Sequence, residues 1–465
     1  MKKVISILPL CLITLFFAFN GNSQEHSHEH GNGHTHYQEH DAVLNHKLMF
    51  PSKTPDRIIA NLTEDPAHSF AVNWRTNQQI ESGVVEIAKA TDGPEFLLGD
   101  VRKVSAVTQS FENQNRREPL VKASFHSAVV SELEPNTLYT YRVGSGTENN
   151  AYWSEWFQFT TASDNDNKPF SFIYFGDAQN NVKSLWSRVI RNSYKQYPQV
   201  DFMLHAGDLI NDRDANSEWG EWFHAGSFIH ATVPSIMTPG NHEYRDGILS
   251  SLWRPQFTLP ENGPTKALKE TCYAIDYENM KLISIDGEAF DEHKEARIAQ
   301  TKWLDSVLRT NTKKWTTITT HYPIFSTAKG RDNKKLRKAF KPLIDKYGVD
   351  LVLQGHDHTY ARGYVKNEGQ GLTVVNDIGT VYAVSVSGPK MYESQDQEWM
   401  ARRGEFTQLF QIITVSKDTI TYGAYTPTGN LYDAFELIKK NGKKELINKI
   451  PDSPIRLKKD FVKEE

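Results

Sequence analysis

Cysteine is nearly absent from this chain of 465 residues, which contains only Cys11 and Cys272. With Cys11 inside a segment that we expect to be removed, an internal disulfide is excluded, so the fold must be held by packing. We expect Cys272, in Thr271-Cys272-Tyr273-Ala274, to pack in a strand rather than to act as a nucleophile.

The chain also lacks a basic bias. Its formal net charge is −4 and its pI is about 6.5, and no basic stripe with interleaved aromatic residues occurs. Proteins that bind nucleic acid carry such a stripe, so we expect no nucleic-acid partner. The sequence does not predict an oligomeric state.

Long apolar runs are missing except at the start, where Val4 to Phe19 follows Met1-Lys2-Lys3. The run is short for a membrane span of about 20 residues, and small polar residues follow it. This pattern is typical of a cleaved signal peptide, which we assign to residues 1–23; a retained membrane anchor is the alternative. We therefore expect an exported protein, periplasmic or extracellular, with no stable membrane insertion after signal removal.

Histidine is concentrated in residues 24–54, which hold seven of the 17 histidines in a polar, glycine-containing stretch. Such a composition cannot bury a core and predicts a flexible leader. The leader could capture metal for another site, or it could be a solvated linker that binds metal weakly. We favour the solvated linker.

Residues 55–162 show short alternating strands and turns with no helical period, for example Phe70-Ala71-Val72-Asn73-Trp74. This spacing favours a β-sandwich. Its aromatic residues could form a carbohydrate-binding face, but core packing explains them better. A polar linker, Ser163 to Pro169, then predicts a domain boundary.

Residues 168–438 alternate buried strands with helices, which we expect near residues 182–196, 217–230 and 333–346. That alternation predicts a layered α/β domain whose ligands gather beyond the carboxyl ends of the strands. We expect the lysine-rich residues 439–465 to be a solvated tail.

Five short segments carry the chemistry, because each ends an apolar run with a metal-ligating residue type. They are Phe175-Gly176-Asp177, Gly207-Asp208, Gly240-Asn241-His242, His321-Tyr322-Pro323 and Gly355-His356-Asp357-His358. An isolated aspartate there would usually cap a helix. Together, however, the segments offer two carboxylates, one amide and three imidazoles besides His242, and six or seven donors with a shared carboxylate suit two metal ions. His356 and His358 should project to one side of an extended segment, with Asp357 pointing away.

In order and type these segments resemble the calcineurin-like metallophosphoesterases, and among them the purple acid phosphatases, over about residues 55–436. The stretch from Leu133 to Tyr139 resembles a fibronectin type III domain, which purple acid phosphatases also carry at the N-terminus. The resemblance implies an α/β fold: a layered metallophosphoesterase β-sandwich with flanking helices, preceded by an all-β fibronectin III-like sandwich.

The resemblance also implies roles for the donors. Two metals flank a bridging hydroxide that attacks phosphorus. Asp177, Asp208 and His358 would hold the first metal. Asn241, His321 and His356 would hold the second, with Asp208 bridging both. His242 would serve catalysis beside the leaving oxygen.

The chain departs from the purple enzymes at two positions. Asn211 stands where their tyrosinate binds iron(III), and Gln179 stands where many relatives carry a ligating histidine. Gln179 could supply a compensating oxygen or only lie nearby. Without the phenolate, iron, zinc and manganese all remain possible cofactors.

The resemblance thus predicts an exported phosphatase that hydrolyses small phosphate monoesters. A phosphodiesterase or nucleotidase with the same site is one alternative. A non-catalytic metal- or carbohydrate-binding surface protein is another, which the complete donor set disfavours. Candidate substrate contacts are Asn211, Arg331 and His293.

Overall fold

The computed structural model describes residues 42–113, 117–147, 151–365 and 378–461. The predicted signal peptide and residues 24–41 of the predicted leader lie outside the described residues. Within the described ranges, no helix has the length and apolar character that a membrane span requires.

The end of the predicted leader contains a helix, over residues 42–49. Helix α1 (Ala42–Met49) lies against α3 (Asn216–Gly226). The carbonyls of Leu48 and Met49 accept hydrogen bonds from the buried guanidinium of Arg75 at 3.2 and 2.9 Å. A cation at the carboxyl end of a helix neutralises its unpaired carbonyls, so Arg75 stabilises this end of α1.

The first domain is the expected β-sandwich. Its strands are β1 (Asp56–Asn61), β2 (Phe70–Asn77), β3 (Gly83–Lys89), β4 (Arg102–Ser105), β5 (Val107–Glu112), β6 (Lys122–Val130), β7 (Leu138–Ser145), β8 (Tyr152–Trp153) and β9 (Phe157–Thr160). One layer runs β1-β2-β6-β5 and the other β4-β3-β7-β8, with β9 also on β7. Phe70, Val72, Trp74, Val85 and Tyr141 fill the space between them.

The second domain supplies the remaining elements. The strands are β10 (Phe170–Phe175), β11 (Phe202–His205), β12 (Ser235–Met237), β13 (Tyr244–Arg245), β14 (Ile248–Leu249), β15 (Tyr273–Tyr277), β16 (Met280–Ile285), β17 (Trp315–Thr320), β18 (Leu351–Gln354), β19 (Tyr360–Val365), β20 (Thr380–Val384), β21 (Met400–Gly404), β22 (Phe410–Val415), β23 (Thr419–Tyr425), β24 (Leu431–Lys440) and β25 (Lys443–Asn448). The further helices are α2 (Ser187–Gln196), α4 (Phe228–Thr232), α5 (Trp253–Gln256), α6 (Gly287–Glu292), α7 (Lys294–Arg309) and α8 (Lys334–Tyr347).

Apart from the two-stranded sheet β13-β14, these strands form two sheets that pack face to face. One sheet runs β25-β24-β23-β22-β10-β11-β12 and continues into β1-β2-β6-β5, while the other runs β15-β16-β17-β18-β20-β19-β21. Phe170 of the first sheet contacts Tyr277 of the second, with ring centroids 4.8 Å apart. Helices cover the outer faces: Trp222 of α3 lies on His205 of β11, and α6 to α8 cover the second sheet.

The parallel part of each sheet positions the five segments. Strands β10, β11 and β12 are parallel, and so are β16, β17, β18 and β20. Because parallel strands end at the same edge, the loops after β10, β11, β12, β17 and β18 meet. The layered α/β fold predicted from the sequence is confirmed.

One local expectation is wrong, and another lacked a strand. The helix expected near residues 217–230 breaks at Ser227, whose φ of +47° separates α3 from α4. The lysine-rich end begins with strand β25, which pairs with β24 while most of its residues stay exposed. Lys444 there is nearly buried, and its ammonium lies 3.0 Å from the Asp350 carboxylate. An aliphatic stem with a charged end suits such an edge strand.

Candidate metal centre

The inward donor atoms of the five segments form two overlapping groups. One group contains Asp208, His321 and His356, and the other contains Asp177, Asp208 and His358. Within each group the ligand atoms lie within 4.8 Å of one another. Asp208 belongs to both, so its carboxylate lies where a bridging ligand between two cations would lie.

Asn241 joins the group around His321. Its Oδ1 lies 3.1 Å from Nε2 of His321 and 2.9 Å from Nδ1 of His356. Those two ring nitrogens are themselves 3.2 Å apart. An amide oxygen and two imidazole nitrogens converging at this distance form the kind of nitrogen and oxygen donor set that zinc, iron or manganese accepts.

The outer nitrogens of two rings fix their orientation. His321 Nδ1 donates to the carbonyl of Ala206 at 2.8 Å, which turns Nε2 inward, toward the other donors. His358 Nδ1 donates to the carbonyl of Lys390 at 3.1 Å, and its Nε2 lies 3.7 Å from Asp177 Oδ1. A hydrogen bond of this type sets the tautomer that metal binding requires.

Four donor residues adopt left-handed backbone conformations. Their φ angles are +39° for Asp177, +51° for Asp208, +74° for His356 and +46° for His358. Such conformations cost roughly 1–3 kcal/mol each and persist where the surroundings enforce them, commonly at functional sites. The loop with the two histidines is therefore curled and not extended as expected, while Asp357 does point away and accepts from the Thr327 backbone N–H.

Glycines next to the donors allow the loops to approach. A Cβ atom on Gly240 would collide with the carboxylate of Asp208, and one on Gly355 would collide with that of Asp177. Both carboxylates are instead held by backbone groups: Asp208 Oδ1 accepts from His242 N at 2.9 Å, and Asp177 accepts from His356 N at 2.8 Å.

The electrostatics of the buried carboxylates are strongly perturbed. Burial works against ionisation of Asp208, yet His321 and His242 hold the pKa of that carboxyl well below its usual range. Burial alone would lower the pKa of His321, but the adjacent Asp208 raises it to about 10. For Asp177, burial raises the pKa well above its usual value. Bound cations would offset the cost of ionising both buried carboxylates.

Gln179 and Asn211, the two departures from the purple pattern, form a pair. Gln179 Nε2 donates to Asn211 Oδ1 at 3.0 Å, and Gln179 Oε1 is buried with no hydrogen-bond partner among the described residues. The carbonyl of Asn211 lies 2.5 Å from Nδ1 of His242. An orphaned buried oxygen beside the donors fits a cation, because such oxygens otherwise find a hydrogen bond.

The other two predicted substrate contacts are engaged elsewhere. Arg331 donates to the carbonyl of His356 at 2.8 Å and lies 3.4 Å from the carboxylate of Asp357, so it braces the histidine loop. His293 is exposed, and its Nε2 lies 2.9 Å from the carbonyl of Gly247. The structure does not bring His293 into the donor cluster.

Sequence reasoning missed two elements of the site. Glu243 is fully buried and accepts from the backbone N–H groups of Asp208, Leu209 and Gly240 at 2.6–2.9 Å. The loop after β20 contacts the donors through backbone groups, since Gly388 N donates to the carbonyl of Asp177 at 2.7 Å. Glu243 directly follows Asn241-His242, and Gly388 follows a buried strand. Their positions in the sequence could therefore have indicated a role at the site.

Both domains match known protein families. Residues 55–161 match the purple acid phosphatase N-terminal domain, and residues 147–360 match the calcineurin-like phosphoesterase family. Acid phosphatase type 7 of Danio rerio is 28% identical over 51% of this chain and 57% of its own length. The Homo sapiens protein is 26% identical over 72% of this chain and 78% of its own length.

Two solved structures share the fold. A purple acid phosphatase from yellow lupin seeds has a TM-score of 0.68 at 18% identity, covering 83% of this chain and 75% of its own. PhoD has a TM-score of 0.63 at 13% identity, covering 88% of this chain and 94% of its own. In fold and family matches, the chain is similar to the calcineurin-like metallophosphoesterases, and its two donor groups would suit a binuclear metal centre. More narrowly, it is purple acid phosphatase-like. The likeness of its first domain to fibronectin type III stays a prediction.

Proposed function

We propose that the protein is an exported, binuclear metal-dependent phosphatase that hydrolyses small phosphate monoesters. The observation that supports this most strongly is the pair of donor groups that share Asp208. We assign Asp177, Asp208 and His358 to one cation, with Gln179 as a candidate fourth donor. We assign Asn241, His321, His356 and the shared Asp208 to the other.

The cations would supply what a phosphate ester needs, since two of them neutralise its oxygens and lower the pKa of a nearby water. Residues of the chain then orient the group that would donate a proton. His242 Nδ1 donates to the Asn211 carbonyl, which directs Nε2 away from it. We assign to the protonated imidazolium form of His242 the role of delivering its Nε2 proton to the leaving oxygen.

The test is metal removal and restoration on the purified protein. Dialysis against a strong chelator should abolish hydrolysis of an aryl phosphate monoester, and zinc, manganese or iron should restore it. A matched aryl diester, assayed in parallel, separates the phosphodiesterase alternative. Undiminished turnover by protein verified to be metal-free would contradict the proposal. No turnover of either ester with both metals bound would favour the non-catalytic alternative.

A further inference from the structure

The loop that follows β20 brings one lysine to the donor cluster. Lys390 accepts a hydrogen bond from His358 Nδ1 through its carbonyl, at 3.1 Å. Two residues on, Tyr392 N donates to the carbonyl of His358 at 3.1 Å, and the rings of these two residues lie 4.8 Å apart. Gly388 is bonded to the Asp177 carbonyl. The loop is therefore fixed to donors on both sheets.

The side chain of Lys390 is half-buried, and its ammonium lies 5.7 Å from the centre of the Tyr392 ring. Among the described residues, no carboxylate lies within ion-pair distance of this ammonium. Two neighbouring cationic side chains are paired with carboxylates: Lys329 lies 3.5 Å from Glu393, and Arg331 lies 3.4 Å from Asp357. Lys390 is thus a cation without a counter-ion at the rim of the site.

The charge of the Lys390 ammonium also affects two histidines of the site. After burial, its positive charge is the largest cause that lowers the pKa of His358, and it lowers the pKa of His242 as well. His242 follows β12 in one sheet and His358 follows β18 in the other. The loop of Lys390 is bonded to Asp177 after β10 and to His358 after β18, so Lys390 lies beside the cleft between the two sheets, where an anionic substrate would enter.

We propose that Lys390 binds a phosphoryl oxygen of the substrate and selects dianionic monoesters over monoanionic diesters. This inference rests on the proposed function and names the substrate class of that site. A phosphate monoester carries about two negative charges near neutral pH because its second pKa is about 6, whereas a diester carries one. An ammonium with no carboxylate partner therefore favours the monoester, through a charge-assisted hydrogen bond to the extra anionic oxygen.

The test compares metal-loaded wild type with Lys390→Gln, Lys390→Arg and Lys329→Gln at pH 7. Lys390→Gln should lower kcat/KM for an aryl monoester roughly 10-fold or more, mainly through KM, the scale of one hydrogen bond to a charged group. It should weaken binding of inorganic phosphate, measured by calorimetry, by a similar factor. Turnover of the matched diester should change little, and Lys390→Arg should restore most of the loss.

Lys329→Gln removes the same charge from an exposed, already paired position on the same rim and should change neither ester. Metal content should be equal in all four proteins, because only the backbone of Lys390 contacts a donor. Equal losses for monoester and diester, or unchanged phosphate binding in Lys390→Gln, would overturn the inference. If the wild type hydrolysed only diesters, the proposed function would fail, and the phosphate-binding comparison would still decide the role of Lys390.

Discussion

At the scale of single residues, Asp208 and His242 lie side by side yet should have separable roles. The carboxylate of Asp208 belongs to both donor groups, while His242 contributes its backbone N–H to that carboxylate and its ring to Asn211. We expect Asp208→Ala to lose at least one metal per chain. His242→Ala should keep its metals and lose turnover by roughly 10²-fold or more, the scale of general acid catalysis. Elemental analysis and steady-state kinetics check this, and metal loss in His242→Ala would show that its assigned role is wrong.

The colour of the iron-loaded protein should depend on another single residue, Asn211. The purple enzymes carry a tyrosinate at the position of Asn211, so we expect this protein, loaded with iron and oxidised, to show no tyrosinate-to-iron charge-transfer band. The four tyrosines near the donor segments have other partners: Tyr174 donates to the Gln354 carbonyl, Tyr244 to Asp286, Tyr322 to Glu288 and Tyr360 to Asp433. Burial also raises the pKa of each of these phenols, which disfavours the ionised form that binds iron.

A visible absorption spectrum of the iron-loaded protein measures this directly. Asn211→Tyr is the matched variant, since it restores the residue type of the purple enzymes at that position. A strong band in the wild type would mean that another tyrosine ligates. A band only in Asn211→Tyr would support the account.

At the scale of elements, the loops after β11 and β12 are joined by one carboxylate. Glu243 accepts two N–H groups from the first loop and one from the second, and burial raises its pKa to about 7. In Glu243→Gln an amide NH₂ would face backbone donors that it cannot satisfy. We expect metal affinity to fall about 10- to 100-fold, the usual cost of losing a group that orients ligands.

Competition with a chromophoric chelator measures that affinity. Glu278→Gln is a suitable control, because Glu278 is equally buried but contacts Ser163 in the linker between the domains. Its metal affinity should match that of the wild type. The same affinity in Glu243→Gln and wild type would refute the role of Glu243 in holding the two loops.

What the sequence predicted follows from the regularity of parallel strands. Asp177, Asp208, Asn241, His321, His356 and His358 all follow buried strands, and strand direction alone brings such loops to one edge. The backbone conformation of the donor loops could not be predicted from the residue pattern. Nothing in Gly355-His356-Asp357-His358 specifies left-handed φ angles, since hydrogen bonds from distant loops enforce them. Lys390 was missed because lysine is common on protein surfaces. Only the contacts of its loop show that it lies near the donor cluster.

At the scale of the whole molecule, the two domains share a continuous sheet, and Glu278 links the second domain to the polar linker. Glu278 Oε1 accepts from Ser163 N at 3.2 Å, while its Oε2 is buried without a partner among the described residues. Burial raises its pKa from 4.5 to about 7. Between these values the folded state holds a proton that the unfolded state has lost, so this group's contribution to stability falls as pH rises and levels off above about 7.

Glu278→Gln removes that titration. The free energy of unfolding of the variant relative to wild type should increase by about 1–2 kcal/mol between pH 5 and pH 8, less than the full linkage because the site relaxes. Chemical denaturation at both pH values measures the difference. A difference that stays constant with pH would contradict the assignment of a raised pKa to Glu278.

The central claim, a binuclear centre bridged by Asp208, is tested most directly by locating the metals in crystals of the metal-loaded protein. Anomalous scattering at the absorption edge of the added metal reports positions, so that ions held by the histidine-rich leader are not mistaken for the centre. The account predicts two peaks about 3.5–4 Å apart, the spacing of two-metal sites, with the Asp208 carboxylate between them. One peak should lie against Asp177 and His358 and the other against His321 and His356. A single peak in this cleft, or two peaks without Asp208 between them, would contradict it.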